Sequence, residues 1–278
     1  MKLRILGCSG GIGGRHLRTT SFLLDHDILI DAGTAAADLS IAELAAIDHV
    51  FLTHTHLDHI ASLPLMIDTV ADRRSQPLVV YGTEAVLSIL RQHVFNGAIW
   101  PDFSTLPSAG QPFMRYQPIE LGQTISLNGR NITALPVEHT VPAVGYCLDS
   151  GAASLVFSGD TGICDAFWQA VNQIANLKYL IIECAFSNRE QDLAMRSKHL
   201  CPTFLAAELQ KLAHQCAIYI THLKPGQIEL TMEEIERCLG EFKPVMLQNS
   251  QIFEFQMQPG KRPFNRLSPL DRLPDGNA

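Results

Sequence analysis

The chain has 278 residues, of which 46% are hydrophobic, and its formal net charge is −7. This apolar fraction is large enough for a substantial core, and no apolar run approaches the roughly 20 residues that cross a bilayer. We therefore expect a globular protein without a membrane span. The acidic balance argues against a long nucleic acid as partner, because polyanions favour basic surfaces, and it favours a small-molecule ligand.

Cysteine usage and the chain ends indicate the compartment and the domain organisation. The seven cysteines are odd in number and include no Cys-x-x-Cys pair, so a reducing cytoplasm fits better than a disulfide framework or a thiolate zinc site. The apolar stretch before Cys8 is too short for a signal peptide. We predict one domain over residues 1–258, followed by a Pro-rich extension over residues 259–278. The oligomeric state is left open, a homodimer included.

Short β-rich apolar runs recur along the chain after a first run at Leu3 to Leu6, and we interpret them as strands. The later runs and the polar residues that follow them are Ile28 to Ile30 with Asp31, Val50 to Thr53 with His54, Ile132 to Val137 with Glu138 and His139, Leu155 to Ser158 with Asp160, Leu180 to Ile182 with Glu183, and Ile218 to Thr221 with His222. Because strand ends are where a rigid scaffold meets solvent, we expect these acids and imidazoles to converge at one edge of the sheet.

Turn and helix signals complete the predicted elements. The runs Ser21 to Leu24 and Ile28 to Ile30 are separated by three polar residues and predict a β-hairpin, whose antiparallel pairing makes the sheet mixed. Helices are predicted over residues 60–70, 202–213 and 233–239. Pro64 and Pro202 suit the first turns of two of these helices. The fold class is therefore α/β.

The segment His54-Thr55-His56-Leu57-Asp58-His59 places four metal-capable side chains within six residues, directly after a predicted strand. Burying three imidazoles and a carboxylate there would cost desolvation and repulsion unless a cation compensated. On an extended turn His54 and His56 can reach one ion, while Asp58 and His59 turn toward a second. The segment therefore predicts a dinuclear metal site.

Three residues further along the chain complete the predicted site. His139 joins the first ion, His222 joins the second, and Asp160 bridges both through its two carboxylate oxygens. Two divalent ions, zinc by preference with manganese or iron as alternatives, would hold a nucleophilic hydroxide between them. Asp58 would orient this hydroxide. The histidines expected to be structural are His16, His26, His49, His93 and His214.

These residues resemble the metallo-β-lactamase superfamily, whose His-x-His-x-Asp-His motif is matched in full by residues 54–59. The resemblance spans Met1 to about Phe255 and implies a four-layer αββα sandwich with mixed sheets and the metals at one edge. Asp31 matches the acid after the early hairpin, which implies that it orients a ligand imidazole from behind. His56 stands where redox di-iron relatives carry Glu, so zinc-dependent hydrolysis is favoured over electron transfer.

Three segments resemble class II cyclic-nucleotide phosphodiesterases. They are residues 54–63, residues 183–188 together with 198–202, and an aromatic insertion over residues 95–103. The resemblance implies that the enzyme opens a 3′,5′-cyclic nucleotide, cAMP or cGMP, to the 5′-monophosphate, with Asn96, Trp100 and Phe103 as substrate contacts. The alternative for Trp100 and Phe103 is that they cover core surface instead of stacking on a purine. Lys198 and Cys201 depart from the family's Gly and Thr, a difference that bears on rate more than on reaction class.

His199 also has a physical interpretation that is independent of the resemblance. It lies just before a helix opened by Pro202, and the electropositive start of a helix attracts phosphate. If Glu183 bonds to His199, the carboxylate orients an imidazolium that stabilises the transition state or protonates the leaving 3′-oxygen. We predict Asp58, His199 and Glu183 as catalytic residues and His199 as a substrate contact. The alternative is that Glu183 and His199 form a structural surface pair.

Other functions are compatible with the same residues. An RNase Z-like nuclease shares the metals and an equivalent Glu and His pair, but the interval between Asp160 and His222 shows no Gly/Pro-rich basic arm for tRNA. A non-catalytic sensor would bind a cyclic nucleotide or a metal without turnover, and the complete ligand set argues against it. Thioester or lactone hydrolysis would leave the Glu183 and His199 arrangement without a role.

Overall fold

The computed structural model describes residues 1–14 and 16–255. The strands are β1 (Lys2–Gly7), β2 (Ser21–Leu24), β3 (Ile28–Ile30), β4 (His49–Phe51), β5 (Leu78–Gly82), β6 (Pro107–Ser108), β7 (Gln111–Pro112), β8 (Met114–Pro118), β9 (Thr124–Leu127), β10 (Arg130–Pro136), β11 (Val144–Asp149), β12 (Ser154–Phe157), β13 (Leu177–Glu183), β14 (Ala217–Thr221), β15 (Val245–Met246) and β16 (Ile252–Glu254). The helices are α1 (Ile41–Ala46), α2 (Leu57–Ile60), α3 (Leu63–Val70), α4 (Glu84–His93), α5 (Asp165–Val171), α6 (Gln191–Ser197), α7 (Pro202–Leu209) and α8 (Ile228–Leu239).

The predicted C-terminal extension over residues 259–278 lies outside the described residues, so the domain boundary stays a prediction. Within the part of the chain that the structure describes, no helix combines the length and the apolar character needed to cross a membrane.

Two seven-stranded sheets form the centre of the molecule. The first has the order β16-β1-β2-β3-β4-β5-β8, with an antiparallel β2–β3 hairpin followed by parallel pairing from β3 to β8. The second has the order β15-β14-β13-β12-β11-β10-β9, antiparallel from β9 to β12 and parallel from β12 to β15. The predicted hairpin and the mixed sheets are confirmed.

Three apolar cores show how the layers stack. Between the sheets, Phe22 of the first packs edge-on against Phe157 of the second, with ring centroids 4.7 Å apart. Helices α1, α3 and α4 cover the outer face of the first sheet. Helices α5, α7 and α8 cover the outer face of the second. This order of helix, sheet, sheet and helix is the predicted four-layer αββα sandwich.

Strand β3 shows why the strand sequences are continuously apolar instead of alternating between apolar and polar residues. Ile28 and Ile30 lie in the core between the sheets, whereas Leu29 lies in the core under the helices. Because both faces of the sheet are covered, every position of the strand is buried. The polar residues that follow these strands are thereby held at the rim of a rigid double sheet.

Two of the predicted helices are present, but their ends differ from the predicted ones. The helix predicted over residues 60–70 is interrupted, because the Ser62 amide donates to the carbonyl of Ala32 (2.9 Å) instead of continuing α2. Pro64 does lie in the first turn of α3. The helix predicted over residues 202–213 begins at Pro202 as expected but ends at Leu209.

The helix predicted over residues 233–239 extends further toward the N-terminus. It begins at Ile228, one turn and more before Glu233. Its apolar face is provided by Ile228, Ile235 and Leu239, which pack in the core under the helices of the second sheet. The sequence does carry the signal for the earlier start, because Ile228, Met232, Ile235 and Leu239 are spaced four, three and four residues apart, as on one face of a helix.

Candidate metal centre

Two clusters of histidine and carboxylate side chains meet at the sheet edge. Group one consists of His54, His56, His139 and Asp160, and group two consists of Asp58, His59, Asp160 and His222. Within each group the potential ligand atoms all lie within 4.8 Å of one another. All seven residues that the sequence predicted as ligands are brought together, and Asp160 is shared as predicted.

The backbone explains why one short motif divides between the two groups. His54 and His56 lie on the extended segment after β4, whereas α2 begins at Leu57 and turns Asp58 and His59 to a different side. Of these side chains, His54 and His59 are fully buried and Asp58 is 25% exposed. The helix start therefore separates the motif into two sets of ligand atoms.

Distances within group one match those of ligands around one small cation. The Nε2 atom of His54 lies 3.2 Å from Nδ1 of His56, and Nε2 of His139 lies 3.1 Å from the same atom. Oδ2 of Asp160 lies 3.5 Å from Nε2 of His54. Metal–nitrogen bonds of about 2.0–2.1 Å in a tetrahedron place ligand nitrogens about 3.3 Å apart. A divalent cation fits between these atoms.

The positions of the protons on the histidine rings of group one also indicate a bound cation. Nδ1 of His139 faces the carbonyl oxygen of Lys198 (3.1 Å), which can only accept, so Nδ1 carries the proton and Nε2 a lone pair. The Thr53 hydroxyl donates to Asp31, so it accepts from Nδ1 of His54 (3.0 Å), whose Nε2 is also left with a lone pair. His56 can donate to only one of these two lone pairs. A cation removes the conflict.

Group two contains buried nitrogens without hydrogen-bond partners. Nε2 of His59 and both ring nitrogens of His222 have none among the described residues. Yet Nε2 of His59 is 3.3 Å and Nδ1 of His222 is 3.2 Å from Oδ1 of Asp160, and Nε2 of His222 is 3.7 Å from Oδ2 of Asp58. Leaving buried polar atoms unpaired costs free energy, which a bound cation would recover.

The electrostatics supply the charge states that metal ligands need. Burial lowers the pKa values of His54, His139 and His222, so these imidazoles are neutral. Burial raises the pKa of Asp160, but the surrounding histidines outweigh this effect and hold it well below its usual value. Burial lowers the pKa of His59, but the Asp160 and Asp31 carboxylates outweigh this effect and raise it well above its usual value, so the cluster favours positive charge. A divalent cation can supply that charge to neutral imidazoles and an ionised carboxylate.

Asp31 has the contacts expected of a residue that orients a ligand. Its Oδ2 atom lies 2.7 Å from Nδ1 of His59, and it accepts from the amide and the hydroxyl of Thr53, both at 2.8 Å. The residue is fully buried and has a left-handed backbone, with φ of 56°. This carboxylate fixes the ring of His59 and leaves Nε2 facing Asp160.

The predicted pair of Glu183 and His199 is formed, and it is buried rather than at the surface. Nδ1 of His199 lies 2.6 Å from Oε1 of Glu183, and His199 is only 8% exposed. The same carboxylate accepts from the amides of Thr161, Ala185 and Leu200 at 2.9–3.2 Å. These bonds fix the carboxylate and, through it, the imidazole.

The His199 ring lies against both candidate groups. Its centroid is 4.9 Å from that of His139, which belongs to group one, and 5.3 Å from that of His222, which belongs to group two. Because Nδ1 is bonded to Glu183, Nε2 is the nitrogen left for another partner. An oriented imidazole therefore sits beside the place where two cations fit.

Lys198 has a role at this site that side-chain chemistry does not indicate. It ends α6 in a left-handed conformation, with φ of 53°, and this turns its carbonyl oxygen toward His139. Its ammonium pairs with Glu138. The sequence signal for this left-handed turn was the Gly that class II phosphodiesterases carry at this position, because Gly is favoured where φ is positive. The departure from Gly thus changes the side chain but retains the turn.

The nearby cysteines do not provide a nucleophile. Cys184 and Cys201 are buried, and burial raises the pKa values of both thiols. A buried thiol that stays protonated is a poor nucleophile.

The residues predicted to contact substrate have packing contacts in the structure. Phe103 is buried and its ring lies 6.2 Å from that of Phe95, within the core on the first sheet. Trp100 packs on that core and is partly buried. The Asn96 side chain accepts from the amides of Ala98 and Ile99, both at 2.9 Å. Their contact with substrate stays a prediction.

The fold and the clustered ligands define a class of hydrolase. Residues 26–236 match the family model described as the Beta-lactamase superfamily domain. The chain belongs to this superfamily, and it is a hydrolase of the metallo-β-lactamase fold with candidate ligands for divalent metal ions.

Individual relatives include phosphodiesterases and a tRNA-processing enzyme. The chain is 26% identical over 273 residues to a probable 3′,5′-cyclic-nucleotide phosphodiesterase from Yersinia pestis, which covers 80% of this chain and 77% of the relative. Unliganded yeast PDE1 matches with a TM-score of 0.75 at 17% identity, over 90% of this chain and 98% of that one. The short form of human tRNase Z matches with a TM-score of 0.65 at 16% identity, over 91% and 99%.

Proposed function

We propose that this protein is a dinuclear-metal phosphodiesterase that opens 3′,5′-cyclic nucleotides, cAMP or cGMP, to 5′-monophosphates. The observation that carries the proposal is the buried Glu183–His199 pair beside two ligand groups that share Asp160. The names of the curated relatives from Yersinia pestis and Aliivibrio fischeri support the substrate class.

The proposed cofactors are two divalent ions, with zinc preferred because the donors are mainly imidazoles. Group one would hold one ion and group two the other. When bound, such a pair supplies an activated water at neutral pH and neutralises charge on phosphoryl oxygens. Asp160, with one oxygen facing His54 and the other facing His59 and His222, would hold both ions in register.

The proposed roles of the chain's own residues follow from their contacts. Asp58 is partly exposed, and a carboxylate oxygen at this position can accept a proton from the attacking water. His199 presents Nε2 for a phosphoryl oxygen or for the leaving 3′-oxygen, and Glu183 keeps the ring from rotating. Since Glu183 is held by three amides, it can position His199 without reorganising during the reaction.

A tRNA 3′-end nuclease is less well supported. Its fold is shared, but a long basic arm would have to fit between Asp160 and His222. In the described chain this interval holds α5, β13, α6, α7 and β14, joined by short connections. The net charge of −7 is also unfavourable for a polyanionic substrate.

The substrate proposal is tested with purified protein loaded with zinc and checked by elemental analysis. The assay follows 5′-AMP and 5′-GMP formed from the cyclic nucleotides, with bis-para-nitrophenyl phosphate as a permissive substrate and precursor tRNA as the competing one. We expect 5′-monophosphates. Folded, fully metallated protein that leaves both cyclic nucleotides intact would overturn the substrate assignment, and cleavage of tRNA instead would establish the nuclease.

The role of His199 is tested by His199→Ala. We expect turnover to fall by about 10²–10⁴-fold, the range for a lost general acid or base, while zinc content stays unchanged. His214→Ala is the matched control, because the His214 ring bonds only the carbonyl of Asn172 (2.9 Å), and it should leave turnover unchanged. Loss of zinc from the His199 variant would instead make His199 a ligand.

A further inference from the structure

Residues 8–11, which we call the N-terminal strap, follow β1 and run beside residues 221–223. The Cys8 carbonyl accepts from the His222 amide (2.8 Å) and from the Thr221 hydroxyl (3.1 Å). The Gly10 amide donates to the carbonyl of Leu223 (3.1 Å). The strap therefore forms hydrogen bonds with His222 and with the residues directly before and after it.

His222 needs this support because its backbone is strained and no hydrogen bond holds its ring. Its backbone is left-handed, with φ of 62°, a conformation that costs a non-glycine residue about 1–2 kcal/mol. Neither of its ring nitrogens has a hydrogen-bond partner among the described residues. His59 of the same group, in contrast, is fixed by the Asp31 carboxylate. Apart from the rings of His59 and His199, which stack on it with centroids 5.5 and 5.3 Å away, the strap is the contact that can hold the His222 ring in place.

The approach of the strap to His222 requires glycine. A Cβ atom added to Gly10 would overlap the His222 carbonyl oxygen and would lie 2.9 Å from Cδ2 of the His222 ring. Because the obstructing atoms include backbone, a side chain at residue 10 would have to displace the strap, His222 or both. The small residue thus allows the strap to touch the ring directly.

Lys224 fastens the strap from the other side. Its Nζ atom donates to the Gly10 carbonyl at 2.7 Å, and it forms no ion pair with a carboxylate in the described part of the chain. Lys224 is partly buried and lies two residues after the proposed ligand His222. Placing an ammonium beside a site for cations is electrostatically unfavourable, so its position needs a structural reason.

We propose that Lys224 is a positioning residue for the metal site of group two: it clamps the N-terminal strap on His222 and thereby holds this ligand in its strained conformation. The inference rests on the metal centre of the proposed function, but not on the identity of the substrate. It assigns to Lys224 and Gly10 an effect on one of the two ions only.

The test measures metal binding, not activity. Zinc dissociation constants of both sites are obtained by chelator competition, and the ligand geometry by the visible spectrum after loading with cobalt. Lys224→Met, which removes the donor but keeps most of the stem, should weaken one site by about 10–100-fold, the usual effect of losing a partner that orients a ligand. The other site should be unchanged. Lys224→Arg, which restores a cationic donor, should recover most of the affinity.

Three further variants and a stability measurement identify the affected site and control for folding. Gly10→Ala should weaken the same site, whereas Gly110→Ala should not, because an added Cβ there meets no atom within 4 Å. His222→Ala should abolish the site that Lys224→Met weakens. Thermal unfolding in chelator should give the same midpoint for the Lys224 variants and the parent chain.

Several results would overturn the inference. Lys224→Met with parental zinc constants and an unchanged cobalt spectrum would show that Lys224 does not act through His222, even if turnover fell. Equal weakening of both sites would also contradict it. A parent chain that binds no zinc would remove the metal centre itself, whereas failure to hydrolyse cyclic nucleotides with normal zinc binding would affect the substrate proposal alone.

Discussion

The two candidate ligand groups share Asp160 but are held in different ways. In group one, the orienting partners are neutral oxygens, the Thr53 hydroxyl behind His54 and the Lys198 carbonyl behind His139. In group two, the fully buried carboxyl group of Asp31 stands behind His59. The His222 ring stacks on the rings of His59 and His199, but among the described residues no group hydrogen-bonds its nitrogens, and its backbone is held by the strap. The two donor sets, three His and one Asp in group one and two His and two Asp in group two, thus depend on unequal supports.

This difference in support indicates which residues the binding of each ion would depend on. A carboxylate behind an imidazole increases its basicity and fixes its tautomer more strongly than a neutral oxygen does. Group two therefore combines one strongly supported histidine with one that relies on the strap. We expect group two to respond to substitutions distant from the ligands and group one to be less sensitive to them.

The largest expected effect comes from removing what the groups share. Asp160→Asn replaces an ionised carboxylate that faces His54 on one side and His59 on the other. We expect zinc affinity to fall at both sites by more than about 100-fold, beyond the range for losing an outer partner of a ligand. Elemental analysis after dialysis measures the change.

Asp165→Asn is a suitable control for the Asp160 variant. Asp165 starts α5 and pairs with Lys211 at the surface, so its substitution should leave zinc content at the parental level. If Asp160→Asn lost only one ion, the shared-ligand arrangement would be wrong and the two groups would be independent.

An intermediate effect is expected from Asp31→Asn, which sharpens the comparison. The amide cannot supply the charge behind His59, so affinity at group two should fall by about 10–100-fold. Group one should change less, because its link to Asp31 passes through the Thr53 hydroxyl. Chelator competition gives both constants. A larger loss of zinc affinity at group one than at group two would contradict the inference that Asp31 mainly supports group two.

The sequence predicts the ligands better than it predicts what holds them. The contiguous motif from His54 to His59 carries a chemical signal in itself, and the order of the superfamily's motifs leads to His139, Asp160 and His222. Of the partners behind them, the sequence predicts Asp31, whereas the others are a hydroxyl, a main-chain carbonyl and a strap from the other end of the chain. Main-chain groups are present in every residue, so no residue type marks the ones that are used.

The missed helix boundary and the aromatic insertion have a related explanation. The break before α3 depends on the Ser62 amide reaching Ala32, a contact between residues distant in sequence. Phe103 is apolar and aromatic, a composition that serves a core and a stacking surface equally well, and the structure places it in a core. Sequence patterns identify the faces of elements, whereas long-range contacts determine where the elements end.

The smallest predicted effect concerns the turn that supports group one. Lys198→Gly removes a left-handed non-glycine residue, which releases about 1 kcal/mol of strain, but it also increases the entropy of the unfolded chain by nearly as much. We expect the free energy of unfolding to change by less than about 0.5 kcal/mol. Zinc affinity should be unchanged, because His139 bonds the carbonyl at residue 198 and not its side chain.

Ser197→Gly gives the contrast for this last prediction. Ser197 is the final residue of α6, where glycine has no favourable positive φ to adopt, so the substitution should lower the free energy of unfolding by about 0.5–1 kcal/mol. Chemical denaturation of both variants measures the difference. If Lys198→Gly were as destabilising as Ser197→Gly, then the Lys198 side chain and its pairing with Glu138, rather than the turn, would support His139.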